Sequence, residues 1–202
     1  MSILKSQNPN ADLFGVDYGK WNSVKLDSLG IELLPLDIEN NQLPFDNESI
    51  DLIIANQIME HTKEVFWINH QIFMKLKIGG YFFLGVPNIL SFHNRLLGLL
   101  GFHPTQHKSY SAHVRPFSKR DVYEFYNIIG SEFCKIVGFW GSQFYPFPSS
   151  IARILSKFFP SSSFSIFFLI KKTKKYKSQF IQYPKKASLE TNFFIGDNKN
   201  DS

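Results

Sequence analysis

The sequence predicts an α/β protein with a mostly parallel sheet flanked by helices. Residues 50–55 (IDLIIA) form a nearly continuous apolar run, which is typical of a parallel strand covered on both faces. Apolar residues then recur at spacings of three and four over 62–77, as they do along one face of a helix. Another apolar run follows at 81–86. Because strands and helices alternate in this way, the pattern favours one α/β domain, which we place at residues 1–170.

Two short strands are predicted before this central segment. Asp12–Asp17 (DLFGVD) is an apolar run that ends in an acid and precedes Gly19 in a predicted turn. Ile31–Leu36 (IELLPL) is followed by Asp37. Its proline indicates an edge position, because proline cannot donate a hydrogen bond to a neighbouring strand.

The helix predicted over 62–77 has recognisable start and stop signals. Thr62 is the predicted N-cap, and two lysines near the other end suit the negative pole of the helix. Gly79-Gly80 is expected to end the helix before the strand at 81–86.

The second half of the chain continues the same alternation. We expect helices at 91–100, 118–129 and 149–158 and strands at 133–145 and 164–171. Ser118 is the predicted N-cap of the middle helix, and Asp121 three residues later would complete a capping box. Residues 171–202 are rich in lysine and lack sustained periodicity, which predicts a basic, mobile tail.

Charge and cysteine content argue against several classes of function. The net charge is +5, and residues 171–202 carry all of it with eight lysines and three acids, so no basic groove for nucleic acid is expected. Cys134 is the only cysteine, which rules out an intramolecular disulfide and fits a cytoplasmic protein. No apolar run reaches the roughly 20 residues of a membrane span, and Met1–Asn10 does not read as a signal peptide.

Residues 43–88 carry the most specific pattern in the chain: LPFDNESIDLIIANQIMEH, a helix, and KLKIGGYFFLGVPN. This pattern resembles the middle of a class I S-adenosylmethionine-dependent methyltransferase of the type 11-like group, and the resemblance extends over residues 12–171. It implies a Rossmann-like fold and S-adenosylmethionine as cofactor. It also implies methyl transfer to a small-molecule or sugar-like acceptor.

The resemblance implies that four residues hold the cofactor. Asp17 matches the acid that ends the family's second strand, where it would accept hydrogen bonds from the ribose hydroxyls. Asp37 matches the acid that contacts adenine, with the backbone of Ile38 against the ring. Asn56 matches the fourth motif, at the carboxyl edge where open α/β sheets bind ligands. The alternative for both acids is an ordinary place in a turn.

Three further residues are implied at the acceptor side. His61 lies in a Glu-His pair that the family often carries, and its ordinary pKa near neutrality would let it accept a proton. His113 and Arg115 belong to HVRPFS, which resembles a segment at the rim of the substrate pocket. His113 is a second candidate base, and Arg115 would hold a carboxylate or phosphate. The alternatives are a polar helix-start residue for His61 and a loop-fixing salt bridge for Arg115.

No metal ion is expected from the sequence. His103, His107 and His113 are four and six residues apart without a nearby cysteine, which matches no standard zinc pattern. Exposed loop histidines are the simpler interpretation.

The resemblance also implies a gap at the start of the fold. In the family, a first strand and a glycine-rich loop precede the position of Asp17, and that strand pairs with the second and fourth strands. Only sixteen residues precede Asp17, and none of them resembles the loop. Met1–Ala11 would supply only the end of the helix that follows it. The sequence therefore predicts an N-terminally truncated fold in which two strands have unpaired edges.

Three explanations of this gap remain open at the level of sequence. The sequence is a fragment or has a misplaced start, which we favour because both strand-end acids are retained; or it is a degenerate relative; or another chain completes the sheet. The corresponding alternative function is an inactive remnant or an interaction protein.

Overall fold

The computed structural model describes residues 2–19 and 23–196, which form two compact units. The first unit is built from the chain up to Pro44, and the second from Phe45–Ile195. None of the described helices is long and apolar enough to cross a membrane.

The first unit is a small parallel sheet with short helices. Its elements in chain order are α1 (Ser2–Gln7), β1 (Phe14–Asp17), α2 (Ser23–Asp27) and β2 (Glu32–Pro35). β1 and β2 pair in parallel, with Asp17 opposite Pro35. Gly15 lets α2 approach β1, because a Cβ at this position would lie 3.1 Å from the Leu26 side chain. Both predicted strands are confirmed, and the start of the chain is helical as expected.

The second unit contains a four-stranded sheet. Its strands are β3 (Ile50–Asn56), β4 (Leu76–Pro87), β5 (Cys134–Ser142) and β6 (Ser165–Lys172), in the spatial order β3-β4-β6-β5. β3 and β4 are parallel, whereas β6 is antiparallel to both of its neighbours. Three strands therefore run in one direction, which confirms the mostly parallel α/β class. The insertion of β6 in the opposite direction was not predicted.

Five helices belong to the second unit: α3 (Val65–Lys75), α4 (Phe92–Leu99), α5 (Lys119–Ile128), α6 (Ser149–Phe158) and α7 (Gln179–Lys186). The predicted capping box of α5 is confirmed. The Ser118 hydroxyl accepts a hydrogen bond from the Asp121 N–H at 3.3 Å, and the Asp121 carboxylate accepts one from the Ser118 N–H at 2.8 Å.

Both boundaries predicted for α3 are wrong by a few residues. Thr62 does not cap the helix, because its hydroxyl donates to the carbonyl of Met59 at 2.9 Å and α3 begins after Glu64. The helix ends at Lys75, and β4 begins at once. The two glycines therefore lie within β4, where a Cβ on Gly80 would be 3.0 Å from the Asp51 carbonyl.

The tail predicted from residue 171 is ordered through α7. Lys172 ends β6, and its side chain is almost fully buried. The buried rings of Tyr176 and Phe180 pack on Phe73 at centroid distances of 6.4 and 5.5 Å. The prediction of a mobile segment is wrong for these residues because two aromatic anchors, four residues apart, outweigh the surrounding lysines.

The sheets leave strand edges without a neighbour among the described residues. There, β3 pairs only with β4, and β1 pairs only with β2. The apolar side chains of Leu52 and Ile54 on β3 are 42% and 44% exposed. The strand pairing of the described residues thus agrees with the expectation of unpaired strand edges.

Candidate functional site

Two of the predicted cofactor residues lie at the same edge of the first unit. Asp17 ends β1, and Asp37 follows β2 by two residues, so parallel pairing brings both acids to the carboxyl edge of the sheet. The Asp17 carboxylate accepts a hydrogen bond from the N–H of Gly19 at 3.2 Å. Asp37 accepts from the Glu39 N–H at 2.9 Å and from the Asn40 side chain at 2.7 Å. Both acids therefore also serve the turn role considered from sequence.

Asn56 ends β3 as predicted, and Ile38 follows Asp37 in the turn after β2. Ile38 is half-buried beside Asp37, and Asn56 is the exposed last residue of β3. The Asn56 side chain lies over Gly85 of β4, where a Cβ would collide with its Oδ1. Glycine at this position therefore leaves room for the Asn56 amide at the end of β3.

The chain turns sharply directly after Asn56. Gln57 has a left-handed backbone with φ of 57°, which is uncommon for a residue with a side chain. Its N–H donates to the carbonyl of Gly85 at 2.8 Å, which ties the turn to β4. Residues with a strained backbone concentrate at functional sites, and Gln57 leads into the short helix Met59–His61.

Glu60, His61 and His113 come together although 52 residues separate the second histidine from the first. The rings of His61 and His113 contact edge-to-face with centroids 4.6 Å apart. The carbonyl of Glu60 accepts hydrogen bonds from the N–H groups of Val114 and Arg115, at 2.9 and 3.1 Å, and so fixes the loop that carries His113. Both predicted catalytic histidines therefore lie in one cluster.

Arg115 has a clear structural task. Its Nε donates to the carbonyl of Thr62 at 3.0 Å, and its Nη2 donates to the carbonyl of Lys63. The guanidinium thus fastens its loop to the segment before α3. This agrees with the alternative of a loop-fixing role, except that the partners are backbone carbonyls and not a carboxylate. Arg115 also lines the pocket described below, so a role in acceptor binding stays a prediction.

Burial shifts the pKa of three groups in and around the cluster. Desolvation raises the pKa of the Glu60 carboxyl above its ordinary value, although the backbone N–H of Glu60 itself and the nearby His61 act in the opposite direction. Burial lowers the pKa of His113, and the neighbouring His61 and His107 lower it further. Burial also lowers the pKa of His107. His113 and His107 are therefore neutral bases at neutral pH.

Two pockets of the second unit lie near this segment. One of about 230 Å³ is mostly apolar and is lined by Met59, Val114, Arg115 and Phe117, with side chains from α3 and α5 behind them. A more open one of about 350 Å³ follows the end of β4 at Asn88. Its cationic lining residues are Arg95, Lys119 and Arg120.

Glu60 and Gln57 are the two residues that sequence reasoning did not single out. Glu60 was noted only as the partner of His61, and nothing in its spacing indicates that it is buried. Gln57 gives no signal either, because left-handed backbone is usually announced by glycine or asparagine.

Solved structures share this fold at low sequence identity. An S-adenosylmethionine-dependent methyltransferase from Archaeoglobus fulgidus is 14% identical with a TM-score of 0.55, covering 84% of this chain and 80% of that one. One from Thermotoga maritima is 19% identical with a TM-score of 0.56, covering 80% and 73%. A methyltransferase from Haloferax volcanii, solved with the Trm112 activator, is 14% identical with a TM-score of 0.59, covering 85% and 77%. No curated protein matches the chain by sequence.

A family model described as "Methyltransferase domain" matches residues 4–84. The described chain therefore has the fold of class I methyltransferases, and residues 4–84 match a methyltransferase domain. S-adenosylmethionine is the cofactor of the first two solved structures named above. The match supports methyl transfer and does not favour the alternative of an inactive remnant.

The residues present fit this cofactor chemically. Asp17 and Asp37 are carboxylates, which accept hydrogen bonds, whereas the ribose hydroxyls and the adenine amino group donate them. A carboxylate has about four lone-pair sites, so each acid can accept further hydrogen bonds beside those of its turn. The individual roles of Asp17, Asp37, Ile38 and Asn56 in this methyltransferase stay predictions.

Proposed function

We propose that this methyltransferase transfers the methyl group of S-adenosylmethionine to an oxygen or nitrogen of a small-molecule or sugar-like acceptor. The sulfonium leaving group is already activated, so the protein mainly has to align the acceptor and exclude water. An alcohol or amine must also lose a proton, and His61 and His113 are the groups that assist this loss.

The contact between the two histidines carries the proposal. His61 lies in the segment that follows the carboxyl end of β3, His113 reaches it from the loop before α5, and burial keeps His113 neutral. A neutral imidazole can accept a proton in the transition state, which typically contributes about 10²- to 10⁴-fold to the rate.

The size of the pocket lined by Val114 and Arg115, the two residues after His113, supports a small acceptor. A pocket of about 230 Å³ is smaller than the roughly 300–1,000 Å³ of sites for drug-sized ligands. Its apolar wall with Arg115 at one side suits a compact molecule that carries a polar or anionic group.

Cofactor binding is tested first, by calorimetric titration of the purified chain with S-adenosylhomocysteine. We expect saturable binding that Asp17→Ala weakens, because the ribose hydroxyls lose their acceptor. Asp12→Ala, at an exposed acid of the same unit, is the matched control and should bind as the wild type does. Absence of binding to a chain that melts cooperatively would overturn the proposal.

Methyl transfer is then measured with labelled S-adenosylmethionine against separate pools of sugars, small alcohols, amines and carboxylic acids. His113→Gln should lower kcat by about 100-fold or more for an alcohol or amine. His103→Gln, in the exposed part of the same loop, should leave kcat unchanged. Labelling of carboxylic acids alone, without dependence on His113, would contradict the assigned role of the histidines.

A further inference from the structure

The Glu60 side chain breaks a general rule of protein interiors. It is fully buried, yet neither carboxylate oxygen has a hydrogen-bond partner. Carboxylates are almost never fully buried without a partner, because removing their charge from water is expensive. Glu60 therefore faces a position where a cation or donor is needed.

His61 presents a second acceptor to the same position. Its Nδ1 lies 3.2 Å from the carbonyl oxygen of Ala112, which can only accept, so Nδ1 carries the proton. In the neutral ring, Nε2 then carries a lone pair, and this atom lies 4.0 Å from Oε1 of Glu60. Two acceptors that face each other repel unless a proton or a metal cation lies between them. The Nδ1 contact with a backbone carbonyl also resembles the way metal-binding histidines are oriented.

His113 completes the group. Its Nδ1 is buried without a hydrogen-bond partner, and its ring stands edge-on to that of His61. One ligand atom from each of Glu60, His61 and His113 lies within 4.8 Å of the others. In a four-coordinate zinc site with bonds of about 2.0–2.2 Å, such atoms are about 3.3 Å apart, so small side-chain rotations would close the set.

Backbone bonds already hold these three residues close together. Glu60 and His61 are adjacent, and the Glu60 carbonyl binds the two N–H groups that follow His113. The side chains can therefore close around an ion without rearrangement of the chain. Sequence spacing does not indicate this cluster. It considers His103, His107 and His113 as a possible metal set, whereas the burial of Glu60 beside His113 is visible only in the structure.

We propose that Glu60, His61 and His113 bind a divalent transition-metal cation, with zinc as the best match. Two imidazoles and one carboxylate are a common ligand set for a zinc ion that keeps a position open. Imidazole ligands favour zinc and its neighbours over magnesium and calcium, which take oxygen. The site deepens the proposed function on which it rests and changes the role of the histidines in it. With a cation bound they would act as its ligands in place of bases, and an acceptor hydroxyl at the open position of the cation would have its pKa lowered.

The first experiment titrates the metal-stripped full chain with ZnCl₂ by calorimetry, and with CoCl₂ by visible absorption, without cofactor or acceptor. We expect one Zn²⁺ per chain and a cobalt spectrum of low coordination number, which Zn²⁺ abolishes. Magnesium chloride should give no saturable heat. Absence of saturable Zn²⁺ binding would overturn the proposal while leaving histidine base catalysis untouched.

Variants assign the site to its residues. Glu60→Gln and His113→Gln keep side-chain volume, and each should weaken Zn²⁺ binding by about tenfold or more. His103→Gln is the control and should bind as the wild type does. Each variant is compared only if its melting curve in EDTA remains cooperative. Equal binding by Glu60→Gln and wild type would overturn the assignment. The assignment would also be overturned if the metal-free chain bound no Zn²⁺ and NMR showed His61 as an imidazolium. A Glu60–His61 ion pair would then account for the geometry.

Discussion

Two buried charged side chains of the second unit, Lys172 and Glu60, are held in opposite ways. The Lys172 ammonium donates to the carbonyls of Phe73 and Leu76 at 2.8 and 2.7 Å, and to Glu48 at 3.1 Å. Glu60 has no hydrogen bond to either carboxylate oxygen. A satisfied buried charge holds the fold together, whereas an unsatisfied one costs stability and points to a ligand. We therefore distinguish a structural region around Lys172 from a functional region around Glu60, His61 and His113.

The largest effect is expected at the satisfied group. Lys172→Met should lower the free energy of unfolding by about 3 kcal/mol, because two carbonyls at the end of α3 and the Glu48 carboxylate lose their donor. Urea denaturation measures the change. Lys171→Met is the matched control: its ammonium lies 5.5 Å from the Tyr81 ring centroid, and its loss should cost less than about 1 kcal/mol. An equal loss of unfolding free energy in both variants would show that the buried hydrogen bonds of Lys172 are not specially stabilising.

A second satisfied group, His70, should make stability depend on pH. Its Nδ1 lies 2.9 Å from the Tyr176 hydroxyl, which accepts from the Phe180 N–H and keeps its own proton to donate to the neutral ring. Burial, followed by the charge of Lys75, lowers the pKa of His70 to about 4. The unfolded chain, with an ordinary pKa near 6.5, binds the proton first, so stability is full above pH 6.5 and falls towards pH 4.

About 2 kcal/mol should be lost across this range, allowing for partial solvent exposure. Denaturation curves at several pH values measure the loss, and His70→Gln should flatten the part of the profile between pH 6.5 and 4. A variant that keeps the full slope would assign it to other groups.

The unsatisfied group should respond in the opposite direction. Glu60→Gln should raise the free energy of unfolding by about 1.5 kcal/mol in EDTA, because a neutral amide is cheaper to bury than an unpaired carboxylate. Thermal melts measure this. Glu124→Gln, in an exposed pair with Arg120, should change stability very little. Destabilisation by Glu60→Gln would reveal a stabilising partner and remove the contrast with Lys172.

A smaller change in stability tests whether the α5 cap and the Glu60–His61–His113 cluster are independent. Ser118→Ala removes one half of the capping box of α5, next to the loop of His113, and should cost about 1 kcal/mol. Urea denaturation should show this loss, whereas Zn²⁺ binding should stay unchanged. A parallel loss of Zn²⁺ binding would mean that the cap and the cluster are coupled.

Local patterns were enough to predict the strands and most of the helices. The apolar run at 50–55 and the capping residues Ser118 and Asp121 act over a few residues, so their outcome is encoded nearby. The contact of His61 with His113, by contrast, depends on how a long loop returns to the sheet. The burial of Glu60 depends on that same return, and α7 on contacts with Phe73 far upstream. Sequence spacing does not report such distant contacts.

The bond network of Lys172 also sets an order of events during synthesis. The ammonium that completes the end of α3 is translated 99 residues after Phe73 and 124 after Glu48. While the chain is still growing, the helix lacks this donor, and Phe73 lacks the ring of Phe180. The second unit therefore reaches its final packing only once its last helix has been made, and contacts of such long range slow folding. Until then apolar side chains such as Phe73 lack part of their packing, and apolar surface exposed in this way is prone to aggregation.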